Sequence, residues 1–514
     1  MSLVNKRVVT GAAAVGIGVV ALALSSVGAQ GDSAFSGNVA SANPRSGVQN
    51  NVLGGGLSST TGAWGALALT NPDVTNGVTH YGYNTSNGGP LTQDPHEAFK
   101  TEPDKNVYLV FNGHHYLYQG HEGGPRGYVT RIDLDAADPA QKVSLVADAA
   151  SDGSALPTFD GITWDPWTHQ LLLTHEGKFT PGSIFAITLD ANGDAVQSTA
   201  QVLPAFGSAG FEGIQNDSAG NVWVVEDTGG AANSGGKVPN SYVFRFLPVD
   251  KTDLSAGGEM QALQVLRHNG QPITAAELQA DPAAKIIKQL HKYGKTFSTR
   301  WVTVADGTTV FDANASAAAA GATPFKRPEN GVFRPGTSFQ QFYFTETGDT
   351  SASSTLPGAY GAVFKLTLDD QDGSTGKLTP AFVGDESHTG LDNIAFATTD
   401  QLLVVEDAGD TLHAQRNALD SGYALDLSEN VSGAPAVTRW LAEGRDASAT
   451  YDAISSPGYN DGDNEITGIH VSNGDTSEAG ILGAQAPNAF HDGWRVFWTQ
   501  QHGDNATWEL TRNN

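Results

Sequence analysis

The chain has 514 residues, 39% of them hydrophobic, with nine Trp, 22 Phe and 61 Gly, enough apolar mass for a large core and enough Gly for many tight turns. Its 55 acidic against 28 basic residues give a formal charge of −27, a field that repels nucleic acid and anionic membrane surfaces and attracts cations. There is no Cys, which excludes disulfides and thiol chemistry.

In chain order, Lys6 and Arg7 precede an apolar run from Val8 to Leu24, and Val27-Gly28-Ala29 is a small-residue cleavage pattern. This reads as a secretory signal peptide over residues 1–29, so a secreted, periplasmic or extracellular protein is expected. No later stretch is long and apolar enough to span a bilayer, and no stable membrane insertion is expected. Residues 30–104 are rich in Ser, Gly and Asn; this leading segment is expected to add strands but no chemistry.

From residue 105 to 514 three elements recur in a fixed order. An acidic residue opens a short apolar strand in FDGITWDP (159–166), FEGIQND (211–217), RPENGVFRP (327–335), LDNIAFA (391–397) and NEITGIHVS (464–472). A second apolar strand then runs into an acidic or amide residue in HYLYQGHEGG (115–124), QLLLTHEG (170–177), NVWVVEDTGG (221–230), QFYFTETGD (341–349), QLLVVEDAGD (401–410) and RVFWTQQHGD (495–504). A third alternates, as in GYVTRIDLD (127–135) and GAVFKLTLD (361–369). An antiparallel meander repeated about six times predicts an all-β fold, a six-bladed β-propeller. Residues 249–320 interrupt it as a small helical insertion. There Thr274 and Glu277 form an expected capping box, and Asp281-Pro282 opens a second helix.

In a propeller the innermost strands line the central channel, so the residues that open them converge although they are far apart in sequence. Asp160, Glu212, Glu329, Asp392-Asn393 and Glu465 hold that position, with His121-Glu122 as the first-blade counterpart. Carboxylates crowded together raise one another's pKa, and a bound hard cation relieves the repulsion. Oxygen-only donors suit Ca²⁺. Glu176, Glu226-Asp227, Glu346 and Glu406-Asp407 are read as lying one strand further out, in turns or behind the ligands, with Glu176 within reach of the centre. Arg327, two residues before Glu329, is a candidate phosphate clamp. His502 reads equally well as a substrate-binding or ligating residue and as an ordinary satisfied histidine. No Walker loop, G-x-S-x-G elbow or H-E-x-x-H is present.

Taken together, PTFDGITWDPWTHQLLLTHEG (157–177), GFEGIQNDSAGNVWVVED (210–227), SYVFRF (241–246), FKRPENGVF (325–333) with FYFTET (342–347), LDNIAF (391–396) with LLVVED (402–407), NEITGIHVS and FWTQQHGDN (497–505) resemble the PhoX-type alkaline phosphatases. The resemblance covers roughly residues 105–510. It implies an exported six-bladed propeller that hydrolyses phosphate esters, using calcium and an iron at a bridged centre. Position by position it implies Glu176, Glu212, Glu329, Glu465 and Asp392 or Asn393 as metal ligands, to which the repeat adds Asp160 and Glu122. It implies Arg327 as the phosphate-binding residue and Arg327 with Glu329 as catalytic. Two departures stand out. The family carries a Cys iron ligand near Phe159-Asp160-Gly161, and a chain without Cys argues for an all-calcium site or for lost activity. The family also commonly uses twin-arginine export, whereas this N-terminus has only Lys6-Arg7. The expected function is therefore a secreted calcium-dependent phosphatase acting on small phosphorylated substrates. The alternative is a non-catalytic calcium-binding propeller serving as an extracellular binding or assembly module, and a propeller lactonase is a third reading.

Overall fold

The computed structural model describes Phe35, residues 51–64, 83–84, 99–100 and 102–513, without 123–126, 138–141, 197–199, 234, 282, 284, 351–353, 355, 370–372, 410–411, 413–415, 417, 429–432, 444–464 and 502–505. The expected signal peptide and His502 lie outside the described residues.

Six antiparallel meanders follow one another. Blade 1 comprises Pro103–Phe111, His114–His121, Val129–Asp133 and Val143–Ala147. Blade 2 comprises Ile162–Asp165, Gln170–Thr174, Ile184–Thr188 and Gln201–Val202. Blade 3 runs Ala209–Asn216, Val222–Glu226, Val243–Pro248, Gly258–Leu266. Blade 4 runs Gly331–Phe333, Gln341–Glu346, Ala362–Leu368, Thr375–Val383. Blade 5 runs Leu391–Phe396, Gln401–Glu406, Ser421–Asp426, Ala436–Ala442. Blade 6 has Glu465–Ser472, Arg495–Gln501 and Ala506–Arg512, and it takes its outermost strand, Leu57–Trp64, from the N-terminal side of the chain. Val52–Leu53 likewise borders Ala436–Ala442 in blade 5. The leading segment thus adds strands, as its sequence suggests, and ties the beginning of the propeller to its end.

The strands carry Val, Leu, Ile and aromatic residues on both faces because each blade is sandwiched between two others. Val107, Leu109 and Tyr118 of blade 1 share a core with Ile162, Leu171 and Phe185 of blade 2. Trp223 of blade 3 meets Phe333 and Phe342 of blade 4 with ring centroids 5.1 and 4.9 Å apart. Ala395 and Leu403 of blade 5 pack with Ile469 and Trp498 of blade 6.

The 249–320 insertion carries helices, as its sequence suggests, together with strands that its sequence does not announce. Besides the helices Ala275–Ala280, Lys285–Leu290 and Ala313–Ala319 it contains Gly258–Leu266 and the long strand Phe297–Gly307. The latter pairs with both Gly258–Leu266 and the start of Thr375–Val383, which joins the outer edges of blades 3 and 4 into one sheet. The Thr274 side chain makes no capping bond, and Glu277 pairs with Arg267, so the expected capping box does not form. The helices pack Leu278, Ile287 and Leu290 against the blade 3 and 4 core rather than over the channel.

Candidate metal centre

Strand pairing aligns the six blades residue by residue. Asn106 pairs with Gln119, Ile162 with Leu173, Ile214 with Val224, Gly331 with Phe344, Ile394 with Val404 and Ile469 with Trp498. Two residues before the first member of each pair stand Asp104, Asp160, Glu212, Glu329, Asp392 and Thr467. Three residues after the second stand Glu122, Glu176, Asp227, Thr347, Asp407 and Gln501. Two residues before the first set, blades 1, 4 and 6 place Glu102, Arg327 and Glu465. Apart from Thr347, which bonds the Leu391 carbonyl, these residues are the lining of one cavity of about 170 Å³ at the channel end. Among the described residues it holds eleven carboxylates and one guanidinium.

The inner strands of blades 1, 3, 5 and 6 are irregular at this point, with register shifts at Pro103/Asn106, Phe211/Ile214, Leu391/Ile394 and Ile466/Gly468. Such a bulge bends the strand and re-aims a side chain. Here it turns Asp104, Glu212, Asp392 and Thr467 into the cavity. The next position is Lys105, Gly161, Gly213, Asn330, Asn393 and Gly468 around the ring. The glycines leave room, and the polar residues fill the channel beneath the acids. Lys105 Nζ donates to Asn330 Oδ1 at 2.7 Å, Asn330 Nδ2 to Asn393 Oδ1 at 2.7 Å, and Asn393 Nδ2 to Asp392 Oδ1 at 2.9 Å.

Asp104, Asp160, Glu212, Glu329 and Asp392 are between 3% and 8% exposed. Burial first, and neighbouring carboxylates next, push Asp104, Asp160, Glu212 and Asp392 well above the usual carboxylate range. Burial raises Glu329 too, although Arg327 works against it. Glu176 meets water, yet the surrounding protein and the charges of Glu122, Asp227 and Asp160 raise it as well. Lys105, desolvated beneath the ring, is pulled down to about 8 despite these acids.

The donors suit a hard cation. Oxygens of Asp104, Glu122 and Asp160 lie within 4.8 Å of one another, as do those of Asp160, Glu176 and Glu212. Ca²⁺ sits about 2.3–2.6 Å from its oxygens, so ligands on opposite sides of one ion are roughly 5 Å apart. Asp227 Oδ1, Glu329 Oε1 and Thr467 Oγ1 are buried without a hydrogen-bond partner among the described residues. Glu329 Oε1 is nonetheless 2.8 Å from Arg327 Nη2, an ion pair whose angle is poor for a hydrogen bond. Arg327 also donates from Nε to Asp227 Oδ2 at 2.8 Å and from Nη1 to Thr350 Oγ1 at 3.3 Å. Burial works against the Arg327 charge, but Asp227, Glu329 and Asp407 more than offset it.

The sequence-derived residues Glu122, Asp160, Glu176, Glu212, Arg327, Glu329, Asp392 and Glu465 therefore meet in one cavity, whereas Asn393 lies behind it in the amide network. The first-blade counterpart of the opening acids is Asp104, not Glu122, which belongs with Glu176 instead. Glu102, Asp104, Thr467 and Gln501 were not anticipated. Glu-Pro-Asp-Lys-Asn-Val at 102–107 repeats the Arg-Pro-Glu-Asn-Gly-Val of 327–332 and was the available signal. Asp227 and Asp407 face the cavity, while their neighbours Glu226 and Glu406 turn away. Glu226 accepts from Tyr242 N and Asn314, Glu406 from Thr389 N and Arg416, and Glu346 from Lys326 N.

A family model described as alkaline phosphatase PhoX matches residues 213–487. Among solved structures, PhoX of Pseudomonas fluorescens in complex with vanadate, a transition-state analogue, superimposes with a TM-score of 0.57 at 12% identity, over 93% of this chain and 98% of that one. This similarity establishes the shared propeller fold. A putative phosphatase from Bacteroides thetaiotaomicron matches at 11% identity over 81% and 73% of the two chains, with a TM-score of 0.39 that adds nothing to the argument. None of the curated proteins matches.

Proposed function

We propose that this chain, which belongs to the alkaline phosphatase PhoX family, is an exported calcium-dependent phosphatase whose catalytic centre is the carboxylate-lined cavity at the channel end. One observation carries the reading: among the described residues a single guanidinium, Arg327, stands with eleven carboxylates in a cavity of about 170 Å³. Asp104, Glu122, Asp160, Glu176 and Glu212 are the residues that would hold calcium, with Asp160 common to both oxygen clusters. Glu329, Asp392 and Glu465 line the remaining wall. When bound, calcium would neutralise the wall, polarise a phosphoryl oxygen and lower the pKa of attacking water.

The protein's own groups would do the rest. An arginine has five N–H donors. Hydrogen bonds to Asp227 and Thr350 occupy two of those of Arg327 and the ion pair with Glu329 faces a third, which leaves two for a bidentate hold on two phosphoryl oxygens. Asp227 and Glu329 fix the guanidinium plane against the acidic wall, so a phosphate ester would bind with its phosphorus towards the carboxylate ring. Lys105, Asn330 and Asn393 close the channel below, so substrate enters and product leaves on the acid side. The small volume suits a phosphate group with its ester arm outside, hence small phosphorylated substrates. Export rests on the N-terminal signal pattern, and among the described residues no helix is long and apolar enough to cross a membrane.

The test is hydrolysis of a chromogenic phosphate ester by the purified mature chain, with calcium and with a chelator. Turnover that needs calcium supports the reading; a folded protein silent with calcium or iron would leave the non-catalytic calcium-binding propeller in its place. The missing Cys is the observation that favours that second reading.

A further inference from the structure

Arg327 has φ +57°, in the left-handed region that a residue with a side chain adopts only where its surroundings impose it. The residues that impose it can be named. Next to it, Lys326 sends its ammonium to Asp349, 2.8 and 3.0 Å from the two carboxylate oxygens, and the side chains are 1% and 0% exposed. The main chains are zipped on either side of this pair. Lys326 N donates to the Glu346 carboxylate at 2.7 Å, Thr347 N to Arg327 O at 2.8 Å, and Gly348 N to Lys326 O at 3.1 Å. Asp349 N donates to Ala359 O at 2.9 Å, and Ser354 Oγ bonds the Asp349 carboxylate. Thr350, the residue after Asp349, receives Arg327 Nη1. The ion pair thus joins the residue before Arg327 to the residue before its hydroxyl partner.

A pair this dry contributes little net stability, because both charges must be stripped of water; its more characteristic effect is to single out one conformation. We propose that the buried Lys326–Asp349 pair is a positioning device for Arg327. It holds the backbone in its left-handed turn and brings Thr350 to the guanidinium, so that the two remaining N–H donors present a fixed fork to the cavity. Lys326 and Asp349 act through Arg327 and are not catalytic themselves. The inference rests on the phosphate-binding role of Arg327 for its consequence, but not for its geometry.

The experiment replaces both charges at once, Lys326→Met with Asp349→Leu, because removing one would strand the other in the core. Lys326→Arg is the conservative companion. Crystal structures of the variants are compared with kinetics on a chromogenic phosphate ester and inhibition by inorganic phosphate, all at saturating calcium. In the double variant Arg327 is expected to leave the left-handed region and Asp227. The KM and the phosphate inhibition constant should rise at least about tenfold, as for loss of a binding interaction, while calcium affinity and thermal midpoint stay near wild type. Lys326→Arg should recover most of the loss. A folded double variant with Arg327 unmoved overturns the proposal, whatever the activity. Arg327 displaced with phosphate inhibition unchanged would overturn its functional half. If the double variant does not fold, Lys326→Arg decides alone: its Arg327 geometry and phosphate inhibition must stay near wild type. A wild-type protein that binds no phosphate refutes the phosphatase reading instead, and the crystallographic comparison still decides the positioning claim.

Discussion

Replacing Arg327 by Ala probes the link between geometry and activity. Two donors of Arg327 are left for phosphate beyond the hydrogen bonds to Asp227 and Thr350 and the ion pair with Glu329. Hydrogen bonds between charged partners contribute about 1.5–3 kcal/mol each, so losing both costs about 3–6 kcal/mol of transition-state binding. That corresponds to a fall in kcat/KM of roughly a hundredfold to ten-thousandfold. Arg327→Lys separates charge from shape. An ammonium keeps the charge, but Asp227 and Glu329 compete for its three donors, and the planar fork is lost. It is expected to recover only a minor part of the activity. The assay is steady-state hydrolysis of a chromogenic phosphate ester at saturating calcium, with circular dichroism and calcium binding as controls. If Arg327→Ala stays folded, binds calcium and retains kcat/KM within about threefold, the assignment of the phosphate fork is wrong.

Three further outcomes follow from the same geometry. His470 is buried, accepts a hydrogen bond from Tyr108 N, and has its pKa pulled from 6.5 to about 3 by burial and by Lys105. The unfolded chain binds the proton more readily, so this group's stabilisation, on the order of a few kcal/mol, is complete above pH 6.5 and fades as pH falls towards 3. His470→Gln should flatten that part of the acid-unfolding curve; an unchanged acid limb would contradict it. A Cβ on Gly213 would lie 2.8 Å from Asn330 Cα and 3.0 Å from the Glu329 carbonyl oxygen. Gly213→Ala should therefore cost about 1–3 kcal/mol in chemical denaturation and weaken calcium binding by shifting the adjoining Glu212, and a neutral result would mean that the ring tolerates movement. Deleting residues 51–64 uncovers the edge of Ala506–Arg512 in blade 6. The truncated protein should aggregate, as read by light scattering, whereas a stable monomer would show that the N-terminal strand is dispensable.

Much of this was legible in the sequence because the repeat carries chemistry at fixed places. FDGI, FEGI, PENG and LDNI each announce an inner strand and an acid that opens it, which gives four of the six ring positions, Asp160, Glu212, Glu329 and Asp392. What escaped did so for physical reasons. Blade 1 opens with Pro103-Asp104-Lys105-Asn106, whose polar residues disguise a strand that forms because it is buried in the channel wall. Blade 6 puts Thr467 where the others have an acid, so Glu465 looks like the ring residue although it stands two positions earlier, as Glu102 and Arg327 do. Asp227 and Asp407 could not be told from Glu226 and Glu406 by composition. Which member of each pair faces the axis depends on the register at the bulges at Phe211/Ile214 and Leu391/Ile394, which the sequence does not mark. The helices of the insertion are legible because their signals are local, whereas the strand Phe297–Gly307 forms by pairing with Gly258–Leu266 and Thr375–Val383 and carries no such local mark.

The carboxylate ring is most directly tested by titrating calcium into the metal-stripped protein while following calcium binding and phosphate-ester hydrolysis together, in the wild type and in Asp160→Asn. Asp160 is shared by both oxygen clusters. Its amide should weaken binding by more than about tenfold and delay the onset of hydrolysis to correspondingly higher calcium. Binding and hydrolysis in Asp160→Asn that coincide with the wild type would place the metal centre elsewhere and contradict the account.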